Sequence, residues 1–149
     1  MLKAQRRKQF IDVRRGDQLV ASFDFVRRSS FLVDGQDYMA KATSVLGVSF
    51  SLFRGEQAVV VEKTTSLLAN AQEIAHDGRT WQMQPARYFG KTFNVLSDDG
   101  TKVGAVVPAK FFFPLSDITI DLPDDVPILV QVFMLWLAVR SWTTDTGGT

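Results

Sequence analysis

The sequence predicts a mainly β protein, a closed antiparallel β-barrel of about ten to twelve short strands enclosing a C-terminal hydrophobic α-helix. Three observations lead there. The segment from Val126 to Trp142 is apolar in every direction, turn signals recur at short intervals through everything before it, and no linker or low-complexity stretch divides the 149 residues.

Wrapped as a helix, Val126 to Trp142 spreads Ile128, Leu129, Val130, Val132, Phe133, Met134, Leu135, Trp136, Leu137 and Val139 over its whole circumference. A helix apolar all round must sit inside protein or lipid. With about 17 residues it is roughly 25 Å long, short of the ~20 apolar residues that span a bilayer. Gln131 and Arg140 interrupt it, and polar groups at membrane depth are expensive. We therefore expect a core helix with Phe133 and Trp136 as interior residues and Gln131 bonded to strand backbone at a barrel opening. The alternative is a tail-anchored membrane protein using 126–142 as the anchor. Leu122-Pro123-Asp124-Asp125-Val126-Pro127 reads as the helix start: the aspartates can accept from first-turn amides and proline falls where no amide is needed. Beyond Trp142 the apolar periodicity stops, so one domain is expected over 1–142 and a disordered tail over 143–149.

The strands follow from alternation and turns. Gln9 to Arg14, the Gly16-Asp17 turn and Leu19 to Phe25 form a hairpin, with Leu19, Ala21, Phe23 and Phe25 on one face. Ser30 to Val33 meets Asp34-Gly35; Tyr38 to Thr43 precedes Gly47; Val48, Phe50 and Leu52 share a face before Arg54-Gly55-Glu56; Ala58 to Glu62 follows. Asp77-Gly78 precedes Thr80 to Gln84, and Asp98-Asp99-Gly100 separates Thr92 to Leu96 from Val103 to Val107, a strong hairpin signal. Phe111 to Phe113 and Ile118 to Ile120 complete the run. Residues 65–76 have helical propensity, but pairing in register with their neighbours favours strand. So many short strands make a sandwich or a barrel. A barrel of that strand number leaves a lumen to be filled, and a sandwich core has no room for the terminal helix.

Catalytic sets are missing. There is no cysteine and a single histidine, His76, beside the Asp77-Gly78 turn. A lone histidine makes no usual zinc site, and no nucleophile elbow, glycine-rich phosphate loop or calcium loop occurs. The pairs Asp34/Asp37, Asp98/Asp99 and Asp124/Asp125 have turn or cap positions to fill. We expect no enzyme, no cofactor and no metal.

Charge is the remaining signal. Net charge is +1, but through residue 28 the bases Lys3, Arg6, Arg7, Lys8, Arg14, Arg15, Arg27 and Arg28 face only Asp12, Asp17 and Asp24. Arginine forks suit phosphate, so Arg14, Arg15, Arg27 and Arg28 are the candidate lipid- or anion-binding residues, placed at two rims of a hairpin. Residues 3–8 read as a flexible basic arm. Without interleaved exposed aromatics, nucleic acid is a poor partner. The expected partner is anionic phospholipid or an acidic protein, and the expected location the cytoplasm, peripheral to a membrane. An apolar small-ligand carrier is a further alternative and needs an empty lumen.

Many short antiparallel strands, repeated strand–Asp-Gly–strand units such as Phe93 to Val107, and Ile118-Thr119-Ile120-Asp121-Leu122-Pro123-Asp124-Asp125-Val126-Pro127 running into Val130 to Leu137 resemble the tubby-like superfamily, closest to its LURP-one-related and scramblase-like branch. That resemblance implies a non-enzymatic barrel around a central helix, in a superfamily associated with phospholipid binding on the barrel exterior. The tubby signature near the C-terminus and the acidic calcium segment of scramblases are both lacking here.

Overall fold

The computed structural model describes residues 1–26, 30–43, 49–66, 71–86, 91–108 and 116–147. Alternating apolar residues and left-handed turns divide the described chain into β1 (Leu2–Arg7), β2 (Phe10–Arg15), β3 (Gln18–Asp24), β4 (Ser30–Val33), β5 (Gln36–Ala42) and β6 (Phe50–Arg54). There follow β7 (Gln57–Ser66), β8 (Ala71–His76), β9 (Arg79–Pro85), β10 (Phe93–Ser97), β11 (Lys102–Pro108), β12 (Ile118–Asp121) and α1 (Ile128–Gly147). Each strand pairs antiparallel with its neighbours in sequence, and β1 pairs with β12 through Leu2↔Ile120, Lys3↔Thr119 and Ala4↔Ile118. The sheet is a closed ring.

Its size suits its filling. Strands about 4.8 Å apart and tilted by about 40° close, for twelve of them, on a radius of roughly 12 Å. A helix with its side chains has a radius of about 5–6 Å, so one layer of inward strand side chains fills the gap. That layer includes Ile11, Val13, Phe23, Leu52, Val60, Ile74, Met83, Val95, Val106 and Ile120, all buried. From Val130 to Val139 every residue of α1 is buried, and its backbone comes close to β4, β7, β8 and β11, which are spread around the ring. The helix is inside the barrel. An enclosed helix is unavailable as an anchor, and among the described residues no helix is long and apolar enough to cross a membrane. Nor is the lumen empty.

The two barrel ends differ. At one end lie the tight turns, with Asp34 at φ 48° and Asp77 at φ 51° ahead of their glycines, a conformation aspartate tolerates. In the turn before Gly100, at the same end, Asp99 accepts from Ser97 Oγ and the Thr101 amide, which hold its carboxyl down to about 2. At the other end α1 emerges, and the chain enters and leaves the described residues on either side of 27–29, 44–48, 67–70, 87–90 and 109–115. Arg27, Arg28, Val48 and Phe111 to Phe113 therefore lie outside the described residues, as do 148–149.

Several expectations change. Leu19 is exposed, because the ladder shifts between Val13 and Arg14: Val13 pairs with Ala21 but Arg14 with Leu19, and the extra residue, Val20, turns inward instead. Residues 65–76 are strand on both sides of the undescribed 67–70. The helix continues to Gly147, so the expected tail from residue 143 is helical over most of its length. Loss of apolar periodicity at Trp142 marks where enclosure ends, not where the helix ends. Trp142 itself is buried, and its Nε1 donates to the Lys91 carbonyl at 2.7 Å. Asp125 meets Arg79 rather than a first-turn amide: Arg79 donates to its carbonyl at 2.9 Å and its carboxylate at 3.2 Å. Gln131 is buried but its Nε2 donates to the Val126 carbonyl at 2.9 Å, in the lead-in to its own helix, not to a strand. Its Oε1 meets no donor among the described residues.

Candidate anion-binding face

Residues 2–7 are the strand that closes the ring, not a flexible arm. Leu2 and Ala4 point inward, so Lys3, Gln5 and Arg7 must point out, the period-two consequence of burying one face. On β2 the outward positions across the ladder are Arg14, Asp12 and Phe10, in the pairs Lys3↔Arg14, Gln5↔Asp12 and Arg7↔Phe10. All of these but Phe10, together with Arg6 and Gly16, line a shallow surface groove of about 390 Å³ carrying four bases and one carboxylate.

The bases are not equivalent. Arg7 forks onto Asp12, Nε to Oδ2 at 2.7 Å and Nη2 to Oδ1 at 3.2 Å, and the carboxylate raises the guanidinium pKa further. Its charge is therefore answered within the wall. Arg6 lies over the Phe25 ring at 5.1 Å and donates to the Lys8 carbonyl at 2.8 Å. Lys3 donates to Thr119 Oγ1 at 2.8 Å, and Arg14 to the Asp17 carbonyl at 3.2 Å. Both of these last two have neutral acceptors, and among the described residues neither has an ion pair. They face each other across the ladder as like charges, an arrangement that destabilises a sheet by roughly 0.2–1 kcal/mol. An anion seated between them reverses that sign.

Of the candidates named from sequence, Arg14 lies in this groove. Arg15 is exposed at the end of β2, opposite Gln18 and outside the groove lining, and Arg27 and Arg28 are not among the described residues. Lys3 and Arg6 were legible only as part of a basic run. The signal that places Lys3 is the inward parity of Leu2 and Ala4, whereas Arg6 shares that parity and is placed at the strand end by Phe25 and the Lys8 carbonyl.

A second polar cluster sits at the mouth where α1 emerges. Glu62 shares the inward parity of Val60 and is 1% exposed. Its Oε2 accepts from the Phe50 amide at 2.8 Å and its Oε1 from Thr64 Oγ1 at 3.1 Å, while the Arg140 guanidinium lies 4.1 Å over the Phe50 ring. Burial pushes the carboxyl above the ordinary 4.5; the Phe50 and Thr64 hydrogen bonds and Arg140 offset only part of this. Because the folded state then binds the proton more tightly than the unfolded one, this group favours folding most below pH 4.5 and progressively less as pH rises through the raised pKa. Glu62→Gln is expected to flatten that dependence. In urea unfolding between pH 4 and 8, the stability of the variant relative to the native protein should increase with pH; a constant difference would contradict a raised carboxyl. Among the described residues no three His, Cys, Asp or Glu side chains come together as a metal site.

The fold and this face define a class: an up-and-down barrel closed around a helix of its own chain, with a cationic groove on the outer wall. No family model, curated protein or solved structure matches the chain.

Proposed function

We propose that the protein is a non-catalytic barrel domain that binds anionic phospholipid through the outer face of β1 and β2. The observation carrying this reading is the cross-strand pair Lys3 and Arg14, two cations held side by side with neutral acceptors and no carboxylate. A phosphate accepts from both, and the Gln5 amide lines the same groove. The architecture supports the reading through its resemblance to tubby-like barrels of the LURP-one-related and scramblase-like branch. Such a protein works in the cytoplasm at a membrane periphery, without cofactor.

Flotation with phosphatidylserine and phosphoinositide vesicles at low salt tests it. Each base near an anionic surface contributes about 1 kcal/mol, so Lys3→Ala with Arg14→Ala is expected to weaken binding roughly 30-fold, with salt weakening the native protein as well. Flotation that ignores both salt and the double variant removes the reading. Failure to float, with retained binding to an acidic polypeptide, reassigns the face to a protein partner.

A further inference from the structure

Among the described residues the outer wall is asymmetric in apolar as well as basic side chains. The large hydrophobic residues exposed among the described ones are Met1, Leu19, Val26, Leu32 and Met39, each between 44% and 61% exposed. Every one belongs to the sector from β1 to β5, and none to the seven strands from β6 to β12. Scattered single leucines on a surface are ordinary. Confinement to under half of the ring is not, and this is the sector that carries the basic groove.

The two features are continuous. Leu19 is the ladder partner of Arg14, and the bulge at Val20 is what turns it outward. Leu19 and Leu32, from adjacent strands, line one small depression with Ser22, Asp34 and Gly35. Met39 projects on the next strand, opposite Ser30. Val26 stands just beyond the far end of β3, near Arg6 through Phe25. Moving around the wall, the order is cation, cation, leucine, leucine, methionine. Asp37 stands directly across the ladder from Leu32 and two residues from Met39 on the same face, and Asp34 lies at the turn, so carboxylates adjoin the aliphatic side chains.

Resting on the phospholipid reading above, we propose that the β1–β5 sector is the bilayer-facing side of the barrel, with Leu19, Leu32 and Met39 entering the interfacial region while Lys3 and Arg14 hold headgroup phosphate. A soluble phosphate or an acidic peptide has no use for aliphatic side chains set beside the cations; a lipid surface offers both an anionic layer and an apolar one. The flanking carboxylates stay at the aqueous level and keep the insertion shallow.

The native protein has no cysteine, so single labels are unambiguous. Leu32→Cys and, on the opposite wall, the outward-facing Asn94→Cys would each carry an environment-sensitive fluorophore, and binding to phosphatidylserine vesicles containing brominated lipid would be followed by flotation and by quenching. The Leu32 label should be quenched and blue-shifted, and the Asn94 label should report water. Leu19→Ser with Leu32→Ser, both exposed positions that leave the core intact, should weaken vesicle binding by about tenfold per leucine. Flotation with equal quenching at both labels, or with the Asn94 label alone quenched, overturns the orientation and leaves the phospholipid reading standing. No flotation of the unlabelled native protein overturns both.

Discussion

Trp136→Ala lowers stability by about 3–5 kcal/mol in equilibrium urea unfolding, the loss expected for a large aromatic in a core that cannot collapse around the gap. The helix is held by a ring on every side, so the wall cannot move in to refill the space. Trp136 is 2% exposed and its ring stacks on Phe133 at 5.7 Å and 9°. It meets Phe50 edge-on at 5.3 Å and Phe31 at 5.8 Å, so one side chain joins the helix to both β4 and β6. Phe31 in turn contacts Phe23 at 5.3 Å, extending the aromatic chain to β3. Typical domains have only 5–15 kcal/mol in total, so the variant loses much of its margin. A loss below about 1 kcal/mol would mean that the aromatic cluster does not couple plug to wall.

The second large effect is expected from the smallest possible insertion. A Cβ added at Gly104 would lie 2.0 Å from the Asp121 carbonyl oxygen and 2.8 Å from Leu122 Cδ2. The nearer atom is backbone of the neighbouring strand and cannot rotate away. Gly104 faces inward beside Val106 on β11, where the chain leaves β12 to turn beneath the helix, and it is needed for space rather than for a left-handed φ. Gly104→Ala must therefore push β11 and β12 apart next to the β1–β12 closure, at about 3 kcal/mol or more, the upper end of overpacking losses. A thermal-unfolding midpoint within a degree or two of the native protein's would show that the approach is not needed.

How much of this the sequence discloses depends on whether the informative pattern is local. An all-round apolar helix needs enclosure whatever its neighbours are, so Phe133 and Trp136 were legible as core. Asp-Gly turns between alternating residues are equally local, and β8–β9 and β10–β11 follow directly. What escaped was set by contacts distant in sequence. The β1 strand looks like a basic arm because half of its residues face water as charges; it is a strand through its ladder with β2 and, at the other end of the chain, with β12. The bulge at Val20 has no marker, as valine suits either face, and it exchanges Leu19 for Val20 in the core. Glu62 reads as the polar end of a strand until Val60 is known to face inward. Gln131 was legible as a buried amide needing a partner, but the nearest carbonyl proved to be Val126. Of the candidate site, Arg14 was visible and its cross-strand companion Lys3 was not recognisable as such.

The hydrogen bond from Lys3 to Thr119 spans 116 residues of sequence. Bringing two such points together carries a loop-closure entropy of about 4 kcal/mol, which no local contact offsets before the remaining strands exist. During synthesis, then, β1 emerges long before β12, and its second edge is closed only when β12 arrives. Until β12 arrives, β1 is an unprotected edge with one ladder of unmatched amides and carbonyls. Its outward lysine and arginines, whatever else they bind, are the kind of residues that keep such an edge from pairing with a neighbouring nascent chain.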